Sequence, residues 1–121
     1  MIQSYKDLEV YKRSYKASMA MYRIVKSFPD EEMFGLTSQI KRAATSIPLN
    51  IAEGFGKHDT DSEFKRFLKM ALGSANEMMV LIDMSKDLGF ISAEVHERIY
   101  SEYEQTAKML SKLITTWKSR I

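Results

Sequence analysis

Apolar residues recur at spacings of three and four along nearly the whole chain, with three short interruptions, and this pattern predicts four amphipathic helices. The first segment runs from Asp7 to Phe28 and stops at Pro29. At about 100° per residue, Val10, Ala17, Met21, Ile24, Val25 and Phe28 gather on one side, facing a core. Asp7 is the predicted N-cap, its carboxylate accepting from first-turn amides that have no partner within the helix. The second segment begins after Pro29-Asp30 and ends at Gly54-Phe55-Gly56, where the glycines read as a helix stop. Its apolar face is Leu36, Ile40, Ala43, Ala44, Ile47 and Ile51. Pro48 lies inside it and predicts a kink rather than a break, because the apolar period continues in phase to Ile51.

The third segment opens at Thr60-Asp61-Ser62-Glu63, the sequence of a capping box in which Thr60 accepts from one free amide and Glu63 reaches back to another. Phe64, Leu68, Ala71, Ala75, Met78, Met79 and Ile82 share its inner face, and Gly89 is the stop. The fourth starts at Ser92, a cap, and carries Val95, Ile99, Tyr103, Leu110, Leu113, Ile114 and Trp117 on one face. Four such helices with short connections predict one all-α domain spanning residues 1–121, an antiparallel up-down four-helix bundle with a Pro-kinked second helix.

Composition agrees. The 121 residues are 45% hydrophobic and 28% charged, enough apolar mass for one core. Five glycines and two prolines are too few for the many tight turns of an all-β fold. The absence of cysteine excludes disulfides, thiolate metal sites and thiol nucleophiles. No run approaches the ~18 uncharged apolar residues of a membrane-spanning helix, and the N-terminus lacks the apolar run of a signal peptide. The expectation is a cytoplasmic protein that does not engage the membrane. Net charge is +2, from 18 basic and 16 acidic residues, so the distribution of charge says more than its total.

Catalytic and cofactor chemistry is not visible in the residues. A di-metal bundle needs a Glu-x-x-His pair on each of two helices, and neither His58 nor His96 has a Glu three positions before it. Both histidines read as exposed surface residues near helix starts. Gly54-Phe55-Gly56 follows a helix, whereas a dinucleotide fingerprint follows a strand. Asp59, Asp61 and Glu63 alternate like the start of a calcium loop, but Phe64 and Met70 stand where such a loop needs Gly and Glu. The acidic residues are explained by the positive end of the helix dipole. No Ser/His/acid motif is present. The reading is a non-enzymatic protein with no metal and no cofactor.

Three surfaces invite a role. Counted from Lys6, the first segment carries six basic side chains against two acidic ones. Lys12, Lys16, Arg23 and Lys26 fall within roughly 80° of arc, opposite the core stripe. A nearly single-signed row of this kind is a cationic rail for phosphates, or the solvated outer face that every bundle helix needs. Tyr11, Tyr15 and Tyr22 flank it, and read as core-edge or interface residues or as base-stacking platforms. On the second helix, Gln39, Arg42, Ser46, Asn50 and Glu53 form a polar stripe beside the apolar face, read as a hydrogen-bonded subunit contact with Arg42 and Glu53 as its charged members. On the third, Val80, Met84 and Leu88 lie outside the core stripe, where a lone bundle would be polar, and this also points to a subunit contact. Lys65, Arg66 and Lys69 make a smaller basic cluster, weakened by nearby Asp61 and Glu63.

At the second helix a family pattern enters. Phe34-Gly35-Leu36, Gln39, Lys41-Arg42-Ala43-Ala44, Ser46-Ile47 and Asn50-Ile51-Ala52-Glu53-Gly54 with Gly56 resemble the four-helix-bundle family named for 23S rRNA intervening sequences. Tyr5-Lys6-Asp7-Leu8 and, on the third helix, Phe64, Phe67-Leu68, Ala71, Gly73-Ser74 and Glu77 extend the resemblance over nearly the whole chain; the fourth helix carries no signature. Tyr11 stands where members often have Trp, and Lys57 where they often have Arg. The resemblance implies a ring-like homopentamer and brings no catalytic residues. It extends to the accessory variability protein of diversity-generating retroelements, a basic pentameric bundle that associates with nucleic acid and a reverse transcriptase.

Two functional readings follow. In the first, a homo-oligomer binds RNA or DNA through Lys12, Lys16, Arg23 and Lys26. In the alternative, the chain is a protein-interaction scaffold or accessory protein that meets a protein partner with no direct nucleic-acid contact.

Overall fold

The computed structural model describes residues 2–57 and 60–118. His58 and Asp59, named above in the metal and calcium arguments, lie outside the described residues. Among the described residues there are four α-helices and no strand: α1 (Glu9–Ile24), α2 (Leu36–Phe55), α3 (Asp61–Asp87) and α4 (Ala93–Thr116). Each consecutive pair packs together, and α1 also meets α4.

The core is built largely from the predicted faces, joined by Leu8, Phe55, Phe67, Leu81 and Ala107, which those faces did not include. All six predicted positions of α2 are buried, as are Phe64, Leu68, Ala71, Ala75, Met78 and Ile82 of α3. From α1 come Val10, Ala17 and Met21, followed just beyond the helix by Val25 and Phe28; from α4 come Ile99, Tyr103 and Leu110. Ile24, Met79, Val95, Leu113, Ile114 and Trp117 are only partly buried. Fully burying one large aliphatic side chain contributes about 1.5–3 kcal/mol, so these stripes outweigh any single polar contact. Aromatic rings close both ends. Phe55 at the end of α2, Phe64 near the start of α3 and Trp117 just past α4 meet edge to face, with Phe64 and Trp117 centroids 4.8 Å apart. Phe28, beyond α1, packs on Phe90, before α4, at 5.3 Å.

Small side chains tighten the interior of α1 and α4. Ser14 and Thr106 are buried and donate to carbonyls of their own helices, at Tyr11 (3.1 Å) and Glu102 (2.9 Å), which satisfies each hydroxyl without a partner across the core. A bidentate ion pair joins the first and last helices: Arg13 on α1 meets Glu102 on α4 through both carboxylate oxygens, at 3.1 and 3.3 Å.

The helix ends differ from the sequence reading in several places. Asp7 does not cap α1. A short 3₁₀ turn, Tyr5–Asp7, comes first, capped by Ser4, and the Asp7 carboxylate accepts from the backbone N–H of Gln3 (2.8 Å) and Ser4 (3.0 Å). These two amides hold its pKa below the usual carboxylate value. The N-cap of α1 is Leu8, with no side-chain bond, and α1 ends at Ile24, giving way to a 3₁₀ turn over Val25–Ser27. Another 3₁₀ turn, Asp30–Glu32, precedes α2. The helix α2 continues through Pro48 as one element, with Pro48 buried. Thr60 caps α3 by accepting from the Glu63 amide (3.3 Å), but the Glu63 carboxylate bonds Arg66 at 2.7 Å instead of reaching back. The predicted capping box is therefore half realised, because a guanidinium on the next turn is the stronger donor.

The second helix does end within Gly54-Phe55-Gly56, at Phe55 with Gly56 as its C-cap, but Gly54 itself is not the stop. It lies inside α2, buried, where a Cβ would stand 2.5 Å from the Phe67 Cβ and 3.1 Å from a Phe64 ring carbon. Its role is to let α2 and α3 approach. Gly89 does end a helix: its φ is +81°, and the N–H groups of Gly89 and Phe90 donate to the carbonyls of Lys86 (2.9 Å) and Ser85 (2.8 Å). That is the bonding of a Schellman turn.

Candidate nucleic-acid interface

The basic row of α1 exists as a surface. Lys12, Lys16 and Arg23 stand exposed on α1, and Lys26 is exposed on the turn that follows. Lys12 lies 3.4 Å from Glu9, an exposed pair that water screens. Lys16, Arg23 and Lys26 enter none of the ion pairs found among the described residues.

The fold adds to this row residues that the sequence kept apart. The 3₁₀ turn ahead of α1 brings Tyr5 and Lys6 alongside the first turns of that helix. Tyr5, Lys6, Tyr11, Lys12, Tyr15 and Lys16 line one open groove, three aromatic rings interleaved with three cations. Tyr5 and Tyr11 are partly buried against the core and meet edge to face at 4.8 Å. Tyr15 lies 6.1 Å from Tyr11 and is 49% exposed. Burial first, and then the neighbouring phenols of Tyr5 and Tyr15, push the Tyr11 pKa up. Farther along, Lys41 of α2 sits over the Tyr22 ring at 5.0 Å, a cation–π contact that adds another cation to the same edge of α1. Periodicity within one helix could not find Lys6 or Lys41, because one precedes α1 and the other belongs to α2.

The polar stripe of α2 divides. Ser46 hydrogen bonds to Ser74 across the seam between α2 and α3, and Asn50 donates to the Ser46 carbonyl of its own helix at 2.8 Å, so both are engaged within the chain. Glu53 lies 3.8 Å from Lys57, and Gln39 and Arg42 are exposed. On α3, Val80 (58%), Met84 (45%) and the following Leu88 (55%) stand exposed as large apolar side chains. Phe34, before α2, is 93% exposed.

The smaller basic cluster is partly spent. Arg66 pairs with Glu63 and stacks over Phe67 at 4.6 Å, while Lys57 lies 5.0 Å from the same ring. His96 corrects the expectation of an exposed histidine. It is half-buried, 2.7 Å from Asp83 and stacked on Tyr100 at 5.3 Å, because the turn at Gly89 lays the start of α4 against the end of α3. Among the described residues there is no group of three His, Cys, Asp or Glu side chains placed to hold a metal ion, and no helix is long and apolar enough to cross a membrane.

These features define a class: a four-helix bundle whose first helix presents a basic, aromatic-lined face. Residues 6–112 match the 23S rRNA-intervening sequence protein family, and the chain belongs to that family. Among solved structures it is similar to a Bacteroides thetaiotaomicron protein of unknown function from the S23 ribosomal protein family. The two are 27% identical, with a TM-score of 0.80 over 88% of this chain and 96% of the other. No curated protein matches.

Proposed function

We propose that this chain is a homo-oligomer, a pentamer by its family resemblance, that associates with RNA or DNA through the basic face of α1. The observation that supports this reading is the exposed, nearly unopposed row Lys12, Lys16, Arg23 and Lys26. Such a row displaces the counterions condensed on phosphates, and a ring would repeat it once per subunit, so that weak patches act together by avidity. The family's name makes structured 23S rRNA fragments the first probe. The exposed apolar strip of α3 supports the oligomer, because a lone bundle gains nothing by leaving Val80, Met84 and Leu88 in water.

The test is electrophoretic mobility shift with rRNA fragments and single-stranded DNA across a salt series, on protein whose mass has been fixed by light scattering. The expected result is a shift that weakens steeply with salt. In Lys12→Glu and Lys16→Glu the log–log slope should fall by about 0.7–0.9 for each phosphate that the protein no longer neutralises. No shift at low salt sinks the reading. A protein partner retained at moderate salt would then favour the scaffold.

A further inference from the structure

We infer that the groove at the start of α1 is a site for an unpaired nucleobase, with Tyr15 as its stacking platform, so that the basic face prefers single-stranded to duplex nucleic acid. This rests on the proposed nucleic-acid reading and names the ligand class of the same surface. The argument starts from the rings. A solvated outer helix face requires charge but no aromatics, yet Tyr5, Tyr11 and Tyr15 converge here with Lys6, Lys12 and Lys16 around one concavity. Tyr5 and Tyr11 are packed on the core and on each other, so they are fixed before any ligand arrives. Tyr15 continues from Tyr11, with the two ring planes at 39°, and half of it is open to solvent. A rigid ring of this kind stacks on a base at low entropic cost.

The cations select the partner chemistry. Three lysines within one groove complement a phosphate backbone, which an uncharged apolar segment would not. A base inside a duplex is already stacked on both faces and cannot reach Tyr15, whereas unpaired bases in loops, bulges and single strands present a free π-face. The lysines therefore hold either form through phosphates, and the tyrosine adds affinity only for the unpaired one. Stacking is sequence-tolerant, so the preference is for strandedness rather than for a particular base.

The experiment is fluorescence anisotropy at low salt with labelled unstructured RNA and DNA oligonucleotides and blunt-ended, fully paired duplexes of matching length, on wild type, Tyr15→Leu, Tyr15→Phe and Lys12→Glu/Lys16→Glu. Circular dichroism and thermal melting confirm that each variant folds. The expected result is tighter binding of the single strands than of the duplexes. Tyr15→Leu loses about 5-fold to 150-fold of single-strand affinity, the span of about 1–3 kcal/mol per stacked base. Duplex binding is unchanged in that variant, Tyr15→Phe retains single-strand binding, and the lysine variant loses both ligands. Paired and unpaired ligands binding alike, or a single-strand preference that survives Tyr15→Leu, overturns the stacking site and leaves the basic-face reading standing. Binding of neither ligand overturns both. Equal binding of RNA and DNA oligonucleotides is the expected pattern for recognition by stacking and phosphate alone; an RNA-only result places the contact on the 2′-hydroxyl instead and overturns the Tyr15 assignment.

Discussion

The tightest single requirement in the molecule is the missing side chain of Gly54. A methyl group there would lie 2.5 Å from the Phe67 Cβ, closer than real carbons pack, and both atoms sit on helix backbones that cannot swing away. Ala would gain roughly 1 kcal/mol of helix propensity, against about 2–3 kcal/mol of overpacking, the upper part of the usual range because the clash is between two Cβ atoms. Gly54→Ala is thus expected to lower stability by about 1–2 kcal/mol in chemical denaturation; an unchanged midpoint would show that α2 and α3 do not approach this closely. Tyr103 is the opposite case, a large residue fully buried whose hydroxyl finds no partner among the described residues, with burial pushing its pKa up. The sequence places it correctly on the inner face of α4, but the fate of its hydroxyl depends on neighbours from other helices.

Elements are where the sequence reads best in their middles and least well at their ends. The apolar stripes fall on the right faces because a helix period is a property of one segment. Ends depend on which local acceptor wins. Ser4 and Asp7 together close a 3₁₀ turn, and so Asp7 is not available to cap α1. Gly89 could be read directly, since a lone glycine between an apolar run and a Ser cap marks the left-handed turn that only glycine adopts freely. Its φ of +81°, with nothing within 4 Å of a Cβ added there, isolates the backbone cost from any clash. Gly89→Ala should therefore lower the melting temperature by an amount equivalent to about 1–2 kcal/mol, and Gly89→Asn by less. Equal melting of all three proteins would contradict the left-handed turn.

At the scale of the whole molecule, the feature that bears on assembly is the exposed apolar strip on the outer side of α3. Val80, Met84 and Leu88 are each roughly half exposed, so a charge placed there disturbs no packed core. In the proposed oligomer, Val80→Asp/Met84→Asp shifts the mass measured by light scattering toward the monomer while the melting of the monomeric fold is retained. A wild-type monomer, or a double variant that remains fully assembled, would remove this strip from the subunit contact. Dissociation by the variant should also weaken nucleic-acid binding more than removal of one subunit's patch would, because avidity falls with subunit number.

The sequence by itself determined the number of helices, their core faces, the turn at Gly89, the caps at Thr60 and Ser92, and the basic row of α1. All of these are written in intervals of a few residues, and the chain needs no distant neighbour to express them. Only the tertiary structure decided the rest. It showed that Gly54 serves a helix crossing, that Ser46 is taken by Ser74, that His96 is drawn onto Asp83, and that Tyr5 and Lys6 join Tyr15 and Lys16 in one groove. Such contacts join segments separated by turns or whole helices, and hydrophobic periodicity fixes the inward face of each element but not which side chains meet at its borders.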